Sequence, residues 1–479
     1  MIHKTRILIV TDSPVLPTGM AEATRLIFNT LLEKYPEHYD VHQIGLSHCY
    51  AVTTPKWPVY PTRFIKGKDG YEVFAPEDRY GEKTFPAIVQ KIQPDIVFAF
   101  NDPQSVVHLC IPESERAYKL ILLVNFDGFP THPGLGQKLS MADLVITKSD
   151  FSRSVAASCL RDFPPDKLEY IYSPADVIRF HPLHENEKLE LRRELFPDWM
   201  PENSFVLGWI GRNQWRKQIW LLYKTIAYLR SGKYLVCADC SKVSLIDWDP
   251  MRQCHLDRAK RVLESRPGFD YDKCIHCGSS RVQPAEPLLD IFLWLHMAKD
   301  DPITIWPAHV LERHFGVQSG RDIHYTEGLR SKASLSPTDM PSLYQLWDAL
   351  LYLSGGEGFG MPPWEAMCSG IPVVYTNYSS HGEIVGKANG GLPVGGILQP
   401  EAGSCIWRMI ADVPQTIEAV LKLYASRELG KSLGRNGRAF VQQYATEIQV
   451  EKWHRIFQRF QADGTQQHKD MLNNARNRQ

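Results

Sequence analysis

Short β-branched and aliphatic runs alternate along this chain with longer stretches whose apolar residues recur every three or four positions. RILIVT (6 to 11), VHQIGL (41 to 46), DIVFAF (95 to 100), KLILLVN (119 to 125) and DLVITK (143 to 148) predict strands in the first half. Helical patterns fall between them, as at 20 to 34 and 84 to 92. The second half restarts with SFVLGWIGR (204 to 212), a strand running into a glycine, and a helix is predicted from Arg216 to Leu229. Later strands are IFLWLHM (291 to 297), DIHYT (322 to 326), ALLYLSG (349 to 355) and PVVYT (372 to 376). Residues 447 to 461 place apolar or aromatic side chains at 450, 453, 456, 457 and 460, which is one helical face. Strands alternating with helices in this way argue for α/β layering around parallel sheets.

At 479 residues the chain is long for one domain and comfortable for two. Lys plus Arg and Asp plus Glu stand at 54 each, so no global charge draws the chain to nucleic acid or an anionic membrane. No apolar run approaches the roughly 20 residues of a membrane span. MIHKTRILIVTDSP goes straight into a strand pattern without a signal-peptide core or cleavage site, so a cytoplasmic setting is expected. Peripheral association with a membrane stays open.

Candidate chemistry begins at EGFGMPPWEAMCSGIPVV (357 to 374), directly after the apolar run ending in LSGG. Glu357 and Glu365 stand eight residues apart, with a Gly-rich loop, Pro362, Pro363 and a helical pattern between and around them. The prolines suit a helix start, where a missing N–H costs nothing. Glycines at 355, 356, 358 and 360 let the backbone approach a ligand closely. Free N–H groups of the following helical turn point into the crevice beyond the strand, where a phosphate or a sugar hydroxyl can dock. The plain alternative is a strand, a turn and a helix carrying two solvated acids. Arg212 and Lys217, in GRNQWRK, sit five apart across another strand-to-helix turn, so both heads can converge on one diphosphate. Together they can stabilise a leaving nucleoside diphosphate without a metal; the plain alternative is a basic helix start on the surface.

There are ten cysteines, and a cytoplasmic setting argues against a disulfide framework. Cys237-Ala-Asp-Cys240 and Cys274-Ile-His-Cys277-Gly278 form two C-x-x-C knuckles separated by 33 residues. Four thiolates at such spacing can hold a tetrahedral Zn²⁺ of structural type, since no position is left open for catalysis. Cys254, His255 and His276 are alternative ligands, and a helix at 257 to 264 is expected to fill the gap.

The run from Glu357 to Glu365 resembles the E-x7-E signature of the retaining glycosyltransferases of the family-4 type (glycosyl transferases group 1). The resemblance implies the GT-B fold: two facing Rossmann-like doubly wound parallel-sheet domains, here with a Cys-rich insert in the second. Expected boundaries are an acceptor domain at 1–172, a linker at 173–203, where Asp176, Phe180 and Pro182 match, and a donor domain at 204–440. The insert covers 236–288, a crossing helix 441–461 and a disordered tail 462–479. It further implies that Glu357 bonds the donor sugar, that the backbone of Gly358, Phe359, Gly360 and Met361 holds sugar and phosphate, and that Glu365 accepts from the ribose. Arg212 and Lys217 match the family's diphosphate-binding pair, and no cofactor is needed for catalysis. Gly19 falls in the glycine loop of the first domain, although its usual glycine neighbour is Met20 here. Asp127, in LVNFDGFP, lies where relatives place an acid facing the acceptor; an Asx turn with Gly128 is the local alternative. Lys148 and Ser149 open the next turn, and His132 reads equally as a surface loop residue.

The implied activity moves a hexose from a UDP- or GDP-sugar to a hydroxyl acceptor, which can be a lipid, a glycan, a small molecule or a modified nucleic acid. Two rivals remain. One is an epimerase or phosphorylase on the same scaffold. The other is a non-catalytic GT-B-like binding protein that uses the zinc insert to hold nucleic acid or a protein.

Overall fold

The computed structural model describes residues 4–47, 55–66, 72–245, 273–274, 276–297, 304–326 and 339–460. The expected helix at 257 to 264, the ligand alternatives Cys254 and His255, and the tail beyond 461 lie outside the described residues.

The β-rich runs build two all-parallel sheets. The first, of seven strands, has Thr5–Asp12 in third place, flanked by Tyr39–Leu46 and then Val59–Pro61 on one side. On the other side lie Ile96–Asn101, Lys119–Val124, Leu144–Thr147 and Leu168–Tyr170. Counted in sequence, the order is 3-2-1-4-5-6-7. The second, of six strands, centres on Phe205–Ile210, with Ile291–His296 and Ile323–Tyr325 on one side. Ala349–Tyr352, Val373–Thr376 and Gly391–Val394 lie on the other side, giving the order 3-2-1-4-5-6. In each sheet the order reverses beside the first strand. A doubly wound sheet opens its ligand crevice at that reversal, beyond the carboxyl ends of the strands.

Period-2 alternation explains the packing of the first sheet. Ile7, Ile9, Phe98, Phe100, Ile121 and Leu123 face one side, and Leu8, Val10, Val97, Ala99, Leu120 and Leu122 the other. Helix Gly19–Lys34 covers the first face with Ala23, Ile27, Phe28 and Leu31. Helix Thr446–Arg459 completes that cover with Val450, Trp453, Ile456 and Phe457, the apolar stripe read from the sequence. This last helix follows the elements of the second sheet in the chain yet packs on the first. Trp453 meets Phe98 edge-on at 5.4 Å, and Tyr39 OH is bonded to His454 Nδ1 at 2.7 Å.

One expected helix begins later. Trp215–Lys217 form a short 3-10 turn, Gln218 takes φ 47°, and the helix proper is Ile219–Ser231. The break aims Arg216 and Lys217 at the crevice instead of leaving them on a helix surface. No helix among the described residues is long and apolar enough to cross a membrane.

Candidate active site

The two sheet reversals face each other, and loops from both meet in one seam. Glu357 lies five residues past strand Ala349–Tyr352 and is 6% exposed. Its Oε1 accepts from Arg216 Nη1 (2.9 Å), Tyr352 OH (2.9 Å), Ser354 Oγ (2.6 Å) and Lys217 Nζ. Its own backbone N–H donates to Ser379 Oγ at 2.9 Å. None of the described residues reaches Oε2. Burial alone would raise this carboxyl, but the charges of Arg216 and Lys217 hold it well below the usual range, so it is ionised. Burial lowers Lys217 to about 8, with Glu357 opposing.

Beyond Glu357 the chain passes through Gly358 and Phe359 to Gly360, at φ 100°, and into helix Met361–Cys368. Gly360 offers no capping side chain, but the open helix N-terminus expected from the sequence is not there: Pro362 and Pro363 have no N–H and the Trp364 N–H bonds the Gly360 carbonyl, so of the first turn only the Met361 N–H is left for a ligand. Helix Gly19–Lys34 differs, because Thr18 caps it by accepting the Ala21 N–H and in turn donates to Asp12. The two helix starts nearly touch: a Cβ on Gly19 would stand 3.0 Å from Met361 Cγ. Glu365 sits one turn into the second helix and accepts from Tyr344 OH at 2.6 Å. Burial pushes it up to about 7.

The domains close tightly here. A Cβ on Gly358 would lie 2.5 Å from Asn125 Cβ, and one on Gly356 would lie 2.4 Å from the Asp127 carbonyl oxygen. Ser149 Oγ and Ser380 Oγ are 2.6 Å apart, and Glu383 accepts the Phe151 N–H at 2.6 Å. Asp127 ion-pairs with Arg408 Nη1 at 3.1 Å and lies 3.6 Å from Arg216 Nε. Arg408 belongs to a hairpin, Gly396–Pro400 with Trp407–Ala411, that bonds to the Glu357 loop through Met409 N–H and the Gly355 carbonyl. Asp102 keeps solvent contact beside Asp127. The protein packed around it and the Asp127 charge raise it to about 6. Lys148 is 3% exposed, with Nζ 5.0 Å from the Phe100 ring and 4.8 Å from the Phe359 ring. Burial pulls it down to about 7. Asn125 Oδ1 and His381 Nε2 are buried against the same loop with no hydrogen-bond partner among the described residues.

The structure thus brings together Lys217, Glu357, Gly358, Phe359, Gly360, Met361, Gly19 and Asp127. Arg212 is exposed, and it is Arg216 that makes the bond to Glu357. Asp127 is an ion-pair partner here, which the Asx-turn alternative did not anticipate. His132 caps helix Pro133–Leu139 and is no part of the seam. Sequence reasoning missed Arg216, Arg408, Tyr352, Ser354, Asp102 and His381. Arg216 was visible in GRNQWRK, but the break at Gln218 that aims it was not. Arg408 comes from a hairpin with no local signature.

Cys237, Cys240, Cys274 and Cys277 form a cluster that could hold a metal, their four sulfurs lying within 4.8 Å of one another.

Residues 327–439 match the family model described as glycosyl transferases group 1. Fifty residues are 48% identical to the O-antigen chain mannosyltransferase B of Escherichia coli, a match covering 10% of this chain and 13% of that protein. Among solved structures, sucrose-phosphate synthase from Thermosynechococcus elongatus superposes with a TM-score of 0.65 at 14% identity, covering 95% of this chain and 99% of that one. Anabaena HepE in complex with UDP-glucose gives 0.60 at 15% identity, covering 95% and 99%. WaaG, a glycosyltransferase involved in lipopolysaccharide biosynthesis, gives 0.58 at 13%, covering 94% and 99%. These likenesses establish the GT-B fold, with its two facing Rossmann-like domains.

Proposed function

We propose that this chain is a retaining glycosyltransferase that moves a hexose from a nucleoside-diphosphate sugar to a hydroxyl acceptor. One observation carries the reading. Glu357 is buried and ionised at the junction of both crevices, with Oε1 saturated by four donors and Oε2 left for a ligand. A carboxylate so placed accepts donor-sugar hydroxyls and stabilises positive charge developing at the anomeric carbon. The backbone of Gly358, Phe359, Gly360 and Met361, just ahead of the proline pair, takes sugar and phosphate oxygens. Lys217 and Arg212 neutralise the leaving diphosphate. Glu365 receives the ribose hydroxyls.

Retention follows from same-face displacement, in which the departing phosphate itself takes the acceptor proton. Asp127 and Asp102 lie on the acceptor side and orient the incoming hydroxyl. A UDP-sugar is the donor class of the HepE complex, and a mannosyl group is what the E. coli relative carries by its name. Both belong to the class proposed here. The acceptor is a lipid, glycan, small molecule or modified nucleic acid reached without an integral membrane segment. This chemistry assigns no metal to the crevice; the zinc inferred for the four cysteines is structural.

Proton NMR of the product formed from an α-linked donor tests the stereochemistry. An α product supports same-face transfer, and a β product overturns it.

A further inference from the structure

We propose that Cys237, Cys240, Cys274 and Cys277 hold one Zn²⁺ in a closed tetrahedral site that staples a three-stranded sheet onto the second domain. The proposal is independent of glycosyl transfer. The sulfurs of Cys237 and Cys277 lie 3.6 Å apart, those of Cys240 and Cys274 3.5 Å apart, and all four lie within 4.8 Å of one another. Zn–S bonds of about 2.3 Å in tetrahedral array set sulfur–sulfur distances near about 3.8 Å. A disulfide would require about 2.0 Å.

The backbone is built for the same purpose twice over. In one turn Cys237 N–H donates to the Lys242 carbonyl, and Ser241 N–H donates back to the Cys237 carbonyl. In the other, Cys274 N–H donates to the Ser279 carbonyl, and Gly278 N–H donates back to the Cys274 carbonyl. The residue after the second cysteine takes a left-handed conformation in both, φ 57° at Ser241 and φ 74° at Gly278. Two loops far apart in sequence thus share one geometry and face each other. Backbone N–H groups of Asp239 and Cys240 point at the Cys237 sulfur, that of Lys242 at Cys240 and that of Ser279 at Cys277. Asp239 ties the loops together through Arg281 at 2.6 Å and Ser279 at 2.5 Å.

Four sulfurs leave no open position, which makes the site structural, and soft thiolate ligands select zinc over hard cations. The staple joins strands Tyr234–Cys237, Val243–Leu245 and Val282–Pro284. This sheet is tied to helix Val413–Ala425 by Glu418, which accepts Val243 N–H at 2.9 Å and Lys242 Nζ at 3.0 Å. Tyr234 and Val243 anchor the inner end of this sheet in the core of the second domain, and the metal fixes its outer end, where the two cysteine turns meet.

The test is elemental analysis of the full chain, purified in a reducing buffer without added metal. About one zinc per chain is expected, falling at least tenfold in Cys237→Ser/Cys277→Ser and unchanged in Cys110→Ser. Because the double variant could unfold, the wild type is also titrated with a thiol reagent before and after chelation. Four further thiols should react once the chelator is present, and Co²⁺ exchange should give the intense sulfur-to-cobalt bands of a tetrathiolate. Iron in place of zinc, a metal-free chain with no change on chelation, or two disulfides in non-reduced peptide mass analysis would each overturn the proposal.

Discussion

Arg216 Nη1 lies 2.9 Å from Glu357 Oε1, across loops that follow two neighbouring strands, Phe205–Ile210 and Ala349–Tyr352. The bond exists because the chain turns at Gln218 before the helix begins. It leaves Arg212, four residues earlier, exposed. Arg216 therefore fixes the carboxylate, while the role proposed for Arg212 is on the donor's diphosphate.

The two arginines should separate experimentally. Arg216→Ala removes a charged hydrogen bond from a buried carboxylate and should cost about 1.5–3 kcal/mol of stability. Arg212→Ala, at an exposed side chain, should cost less stability than Arg216→Ala and lower kcat/KM roughly 100-fold to 1,000-fold, as loss of a transition-state charge partner does. Chemical denaturation and transfer kinetics on both variants check this. Equal stability losses would erase the distinction.

Gly358→Ala should block domain closure, because the added Cβ would stand 2.5 Å from Asn125 Cβ. Closure excludes water and completes a site formed from two domains. The variant should fold and lose most of its kcat. Small-angle scattering should show a larger radius of gyration. An unchanged kcat would mean that the seam seen here is not the working state.

Glu365 gives a pH dependence of definite sign. Its folded value, raised to about 7 by burial, lies above the unfolded carboxyl value of about 4.3. Its contribution to stability is therefore complete below about pH 4.3 and is lost as pH rises through about 7. Relative to Glu365→Gln, the wild type should become progressively less stable across that window. Urea unfolding at several pH values measures the difference, and a pH-independent gap would contradict the assignment.

Much of this was legible in the chain. Alternating apolar runs predicted both sheets because each parallel strand is buried on both faces, and the stripe at 450, 453, 456 and 457 predicted the last helix. The Glu357 loop was legible because glycines and prolines mark its turns. Arg216 was misplaced because a left-handed Gln218 is not encoded by any turn residue. Arg408 was invisible because its partner lies far away in sequence: it meets Asp127 only where the two domains come together.

Trp453→Ala should cost about 3–5 kcal/mol, the range for emptying a large aromatic site in a core. The side chain is 1% exposed and packs against Phe98 and Phe457. Calorimetry would show the loss, and a change under about 1 kcal/mol would mean that the last helix is not integral to the first domain.

The most direct measurement is a thermal-shift panel of UDP-, GDP- and ADP-sugars on the wild type, Glu357→Ala and Arg212→Ala. A ligand at a hundredfold excess over its Kd stabilises the native state by about 2.7 kcal/mol. The account predicts that one nucleotide family stabilises the wild type, that both variants weaken the shift, and that only the wild type then releases free nucleoside diphosphate with an acceptor present. No shift with any donor, or full turnover by Glu357→Ala, would contradict it.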